Sequence, residues 1–117
     1  MRNGKIDDFD QLNREVVALG NDYAEGFFLQ PHQHRRAQLL YGATGLMHVS
    51  TCDGEWVVPP QHAVWIPPDT IHAVRFVGVT TRSLYIEPTY TMGFIKHRRC
   101  EVVSVSPLLR QLLLEAV

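Results

Sequence analysis

From residue 15 onward, short apolar runs alternate with clusters of Gly, Pro, Asn and Asp. The runs fall at 16–19, 26–29, 32–42, 46–51, 55–58, 63–66, 72–77, 82–86 and 101–105. Each is rich in β-branched or aromatic residues and too short for a helix, so the pattern predicts strands. Gly20-Asn21-Asp22 should close the first strand and Pro31 the second. Asp53-Gly54, between two apolar runs, is the strongest hairpin signal, because such a pair readily takes positive φ. Pro59-Pro60, Pro67-Pro68-Asp69 and Pro88 mark later stops. Strands this short and this regularly punctuated predict an all-β antiparallel barrel or sandwich. A parallel α/β fold would need helical patterns between the strands, and none occurs.

The pattern changes at Ser106-Pro107, where Ser is a helix N-cap and Pro suits the first turn. Leu108, Leu109, Leu112 and Leu113 follow at helical spacing, and Leu114 widens the stripe. A helix of about three turns is marginal alone in water. It is expected to pack on another subunit or on continuing polypeptide rather than on the barrel. Residues 1–14 form a polar leader, 15–105 the β-domain, and 106–117 the start of this helix.

Composition narrows the functional classes. A chain of 117 residues is one domain. Its net charge of −1 lacks the basic surplus of a free-standing nucleic-acid binder. Cys52 and Cys100 form no CxxC pair and read as buried, reduced thiols. The acidic opening is the reverse of a secretory signal, and no apolar run approaches the roughly 20 residues that cross a bilayer. A cytoplasmic protein is expected.

The candidate chemistry lies in His32, His34, Gln38 and His72. Positions i, i+2 and i+6 of one extended strand share a face, so the first three can converge. A second strand carrying His72 alongside would complete a pocket of three imidazoles and an amide oxygen. Neutral imidazoles suit a divalent transition metal, with Zn or Ni ahead of Fe. The same groups could instead make a hydrogen-bonded pocket holding only water or an organic effector. Tyr41, Trp65, Phe76 and Tyr85 are candidate walls for an effector, with plain core packing as the alternative. Arg35 and Arg36 flank the expected mouth, although a surface role is the simpler expectation. His48, His62 and His97 read as core or surface histidines; His97 lies in the basic run Lys96-His97-Arg98-Arg99.

These residues resemble a known pattern. Gly26, His32, His34, Gln38 and Gly45 match the spacing of the first cupin motif, with Gln38 where glutamate is usual. Pro67, Asp69 and His72 resemble the second motif, with Asp69 in place of glycine. The stretches His34-Arg35-Arg36-Ala37-Gln38-Leu39-Leu40-Tyr41, Ala63-Val64-Trp65-Ile66-Pro67 and Ser104-Val105-Ser106-Pro107-Leu108-Leu109-Arg110 resemble the amino-terminal sensor domain of AraC-type transcription regulators. The resemblance implies an RmlC-like cupin jelly roll with a C-terminal linker and dimerisation helix. It also implies a small-molecule effector and DNA contact only through helix-turn-helix units outside this chain, while the leucine stripe, needing a partner, predicts a homodimer. No catalytic residue is expected, because Gln38 removes the carboxylate that could accept a proton. The rival reading is a stand-alone metallo-cupin enzyme, a dioxygenase or isomerase.

Overall fold

The computed structural model describes residues 16–88 and 99–115. Nine strands precede one helix in these segments: β1 (Val16–Tyr23), β2 (Phe28–His32), β3 (Ala37–Gly42), β4 (Leu46–Thr51), β5 (Gly54–Val58), β6 (His62–Ile66), β7 (His72–Val77), β8 (Val79–Ile86), β9 (Glu101–Ser104) and α1 (Pro107–Glu115). They form a five-stranded sheet ordered β1-β8-β3-β6-β9 and a four-stranded sheet ordered β2-β7-β4-β5. Every pairing is antiparallel.

Strand periodicity decides which side chains enter the space between the sheets. On β8, Val79, Thr81, Ser83 and Tyr85 are buried while the residues between them are half-exposed. The core joins Leu40, Val64, Ile66 and Val79 of the larger sheet to Met47, Val49, Val58, Val74 and Phe76 of the smaller one. Tyr23 stacks flat on Phe76 at a centroid distance of 3.8 Å and closes that cluster. Cys100 is buried in it, and burial pushes its thiol up to about 11, so it behaves as a small apolar group. Cys52 is exposed, contrary to the sequence expectation, because it occupies the tip of the β4–β5 hairpin.

Several predicted stops are overridden by pairing. β1 runs through Gly20-Asn21-Asp22 because β8 offers a ladder along the whole strand, from Val16 opposite Ile86 to Tyr23 opposite Val79. The polar side chains there find partners: Thr80 Oγ1 donates to Asp22 Oδ1 at 2.8 Å. Pro31 lies inside β2, at a register shift between Leu29 and His32 on a sheet edge. Such a site asks no N–H of proline. The hairpin turn is centred on Cys52-Asp53, one residue earlier than expected, with Gly54 already paired to Thr51. Asp53 N–H donates to Thr51 Oγ1 at 3.1 Å and holds that turn.

The helix is capped as the sequence predicts, with Leu109 N–H donating to Ser106 Oγ at 3.1 Å. Its leucines divide into two faces. Leu109 and Leu113 pack on Tyr41 and Ala63, on the outer face of the larger sheet. Leu108 and Leu112 stay exposed. Successive helical residues lie about 100° apart, so adjacent leucines cannot serve one surface. The helix therefore covers the barrel with one stripe, although its leucines alone predict packing on another subunit or on continuing polypeptide.

Candidate metal centre

The histidines meet at one end of the barrel, but not by the route expected. Positions 32–42 are not one strand: β2 ends at His32 on the smaller sheet, and β3 begins at Ala37 on the larger. His34 lies in the crossing between them, with its carbonyl accepting from Asp69 N–H at 3.0 Å. That bond ties the crossing to the turn before β7. Convergence thus comes from a chain changing sheets, not from one strand face. His72 sits directly opposite His32 in the β2–β7 register. The ring centroids of His32 and His72 are 4.2 Å apart, and those of His34 and His72 are 5.1 Å apart. One ligand nitrogen from each histidine lies within 4.8 Å of the others.

The backbone fixes how each ring is presented. His32 Nδ1 donates to the Gln30 carbonyl at 2.8 Å, His34 Nδ1 to Arg36 at 2.6 Å, and His72 Nδ1 to Thr70 at 2.8 Å. A carbonyl only accepts, so in each neutral ring the proton resides on Nδ1 and Nε2 keeps its lone pair. Three such nitrogens facing one space are what a metal-binding pocket requires, and the carbonyls are the second layer of contacts that orients ligating histidines. His62 Nδ1 makes the same bond to Pro60 at 3.1 Å, yet His62 is outside the three-histidine cluster. The tautomer lock alone is thus common; the convergence is what distinguishes this site.

Gln38 completes the arrangement. Its Nε2 donates to Ser83 Oγ and Tyr85 OH, both at 3.0 Å, which turns Oε1 toward His34 Nε2 at 3.1 Å. With Nδ1 of His34 carrying the proton, two lone pairs then face each other. A proton or a cation between them relieves that repulsion. Burial and the neighbouring His32 and His34 lower the His72 pKa to about 4, so this ring is neutral and ready to ligate at neutral pH. His34, Gln38 and His72 are buried, whereas His32 is partly open to solvent.

The four aromatic candidates separate. Tyr85 points inward, its ring edge-on to His34 at 5.2 Å. Phe76 shares the inward face of β7 but lies four residues along it, stacked in the core beneath Tyr23. Tyr41 has the opposite parity to Gln38 and Leu40 and is buried under the helix. Trp65 pairs across from Leu39, on the same outer face. Strand parity thus turns Tyr41 and Trp65 away from the histidines and not onto the pocket wall. Arg36 is fully buried rather than at the surface, 3.8 Å from Glu87, and Arg35 pairs with the same carboxylate. His48 is exposed on the outer face of the smaller sheet, and His97 lies outside the described residues. Ser83 was missed by the sequence reading, although its spacing of two from Tyr85 places both on one face of β8.

The geometry can be set beside known proteins. Residues 15–116 match the family of the AraC-like ligand binding domain. This chain belongs to that family. It is 36% identical over 84 residues to the HTH-type transcriptional regulator NimR of Escherichia coli, covering 71% of this chain and 30% of that protein. The AraC-like domain thus spans under a third of that relative's length. Solved structures show the same jelly roll. An RmlC-like cupin from Shewanella frigidimarina superposes with a TM-score of 0.59 at 22% identity, covering 64% of this chain and 68% of the other. KdgF from a Halomonas species gives 0.57 at 23%, covering 62% and 68%. An oxalate decarboxylase from Bacillus subtilis gives 0.57 at 14%, covering 66% of this chain and 22% of the enzyme. These likenesses establish the cupin fold of the AraC-like domain. No helix among its described residues is long and apolar enough to cross a membrane.

Proposed function

We propose that this domain is the effector-sensing part of an AraC-type transcription regulator, binding a small molecule in the barrel beside a divalent metal. The observation that carries the metal is the set of three Nε2 lone pairs, each fixed by a backbone carbonyl and all facing one space. His32, His34 and His72 would hold the ion, with Gln38 Oε1 as a fourth, weaker donor. Such a set suits Zn or Ni before Fe. When bound, the ion supplies a Lewis-acidic point of attachment for an effector. The chain's own residues orient that point: Ser83 and Tyr85 turn the Gln38 amide, and the carbonyls of Gln30, Arg36 and Thr70 set the rings.

The domain has no catalytic role in this reading. The donor cluster among the described residues contains no carboxylate, and with its imidazole nitrogens committed to the ion it would keep no general base for substrate chemistry. Effector binding would act through β8, which carries Ser83 and Tyr85 on its inner face and contacts α1. A shift in that strand would bias the position of the helix, and with it DNA-binding units that follow outside this chain. The exposed Leu108 and Leu112 stripe would join two copies as a homodimer.

Native mass spectrometry of untagged protein, combined with elemental analysis, tests the reading. One equivalent of Zn or Ni per chain, lost in the His72→Ala variant, is expected. Well under one equivalent after metal supplementation would leave the polar-pocket alternative standing.

A further inference from the structure

We infer that the effector is a carboxylate-class small anion, bound with its charged oxygen on the metal; this rests on the metal reading above. The argument is one of charge. His32, His34 and His72 present neutral lone pairs, Gln38 presents an uncharged amide oxygen, and no carboxylate joins the cluster among the described residues. A dication held by four neutral donors keeps its full double charge. Three of those donors are buried, so water screens that charge poorly. A charge in such a place is costly unless a counter-charge accompanies it.

The nearby carboxylates among the described residues do not meet that need. Glu87, at the end of β8, is engaged by both Arg35 and Arg36. Asp69 is exposed at the turn before β7 and contributes its backbone N–H, not its side chain, to the His34 crossing. No side chain among the described residues supplies that negative charge, and an anionic effector would. A sugar or other neutral effector would leave the imbalance in place; a carboxylate would remove half of it and add a hard oxygen donor. Only His32 among the donors is partly open to solvent, so the anion enters past that ring. In this light Gln38 is a specificity-determining residue: a glutamate there would occupy, from within the chain, the charge that the effector is meant to supply.

The experiment uses the full untagged chain loaded with Co(II), whose visible absorption reports its ligands. Acetate and its neutral isostere acetamide are titrated into the wild-type protein and into Gln38→Glu. Acetate is expected to change the wild-type spectrum and to bind at least tenfold more tightly than acetamide. Gln38→Glu is expected to hold Co(II) more tightly yet bind acetate at least tenfold more weakly. Co(II) bound normally, with acetate and acetamide indistinguishable, would overturn the anion inference while leaving the metal centre intact. Failure to bind Co(II) at all would overturn both. The acetate–acetamide comparison needs only the wild-type chain, so it decides the matter even if the variant misfolds.

Discussion

At the scale of single residues, His72 couples the pocket to pH. Burial and its imidazole neighbours lower its pKa from 6.5 to about 4 in the folded chain. Between those values the unfolded chain binds a proton that the folded chain refuses, so stability falls as pH drops from 6.5 toward 4. The loss should be on the order of 3 kcal/mol in metal-free protein. Urea unfolding across that range checks it, and a His72→Gln variant should show a flatter profile. Ser83 and Tyr85 make a second prediction. Both hold the Gln38 amide at 3.0 Å without entering the donor set themselves. In the metal reading, Ser83→Ala or Tyr85→Phe should weaken metal binding about 10- to 100-fold, read by competition with a chromogenic chelator. An unchanged affinity in both variants would show that the amide needs no outside orientation.

At the scale of elements, the connections carry as much constraint as the strands. Gly45 ends the turn from β3 to β4 with φ +72, and a Cβ built there would lie 2.3 Å from the Val77 carbonyl oxygen. Gly45→Ala should cost at least about 2 kcal/mol, since the Val77–Gly78 backbone must move as well as φ. The Tyr41 hydroxyl is buried under the helix with no hydrogen-bond partner among the described residues. Removing it in Tyr41→Phe should be neutral or stabilising by up to about 1 kcal/mol, measured by thermal or chemical unfolding. A clear loss would point to a partner for that hydroxyl and to a polar role for the space beneath α1. The strands themselves were readable from period-two patterning and proline punctuation. Continuation of β1 through Gly20-Asn21-Asp22 was not, because it depends on a partner strand some sixty positions away.

At the scale of the whole molecule, the helix turns one leucine stripe to the barrel and another to solvent. Leu113 is almost fully buried against the larger sheet, while Leu108 is 72% and Leu112 is 57% exposed. In the homodimer reading, Leu108→Gln with Leu112→Gln should convert a dimer to a monomer in sedimentation experiments without lowering metal content. Leu113→Ala should instead cost about 2–5 kcal/mol of domain stability, because it opens a cavity between helix and barrel. If the double variant sediments like the parent protein, the outward stripe serves something other than self-association.

Fold class, the cap of α1 and the identity of the three histidines were settled along the chain, because turn chemistry, strand periodicity and imidazole donors are local properties. The first motif also placed Gln38 correctly beside His34. Whether a side chain faces the pocket or the helix was settled only in three dimensions. Tyr41 and Tyr85 look alike in composition and strand context, yet one lies under α1 and the other beside His34. That difference is set by the register of β3 and β8 and by the chain's change of sheets between His32 and Ala37. Register is a pairing between distant segments, and no local pattern encodes it.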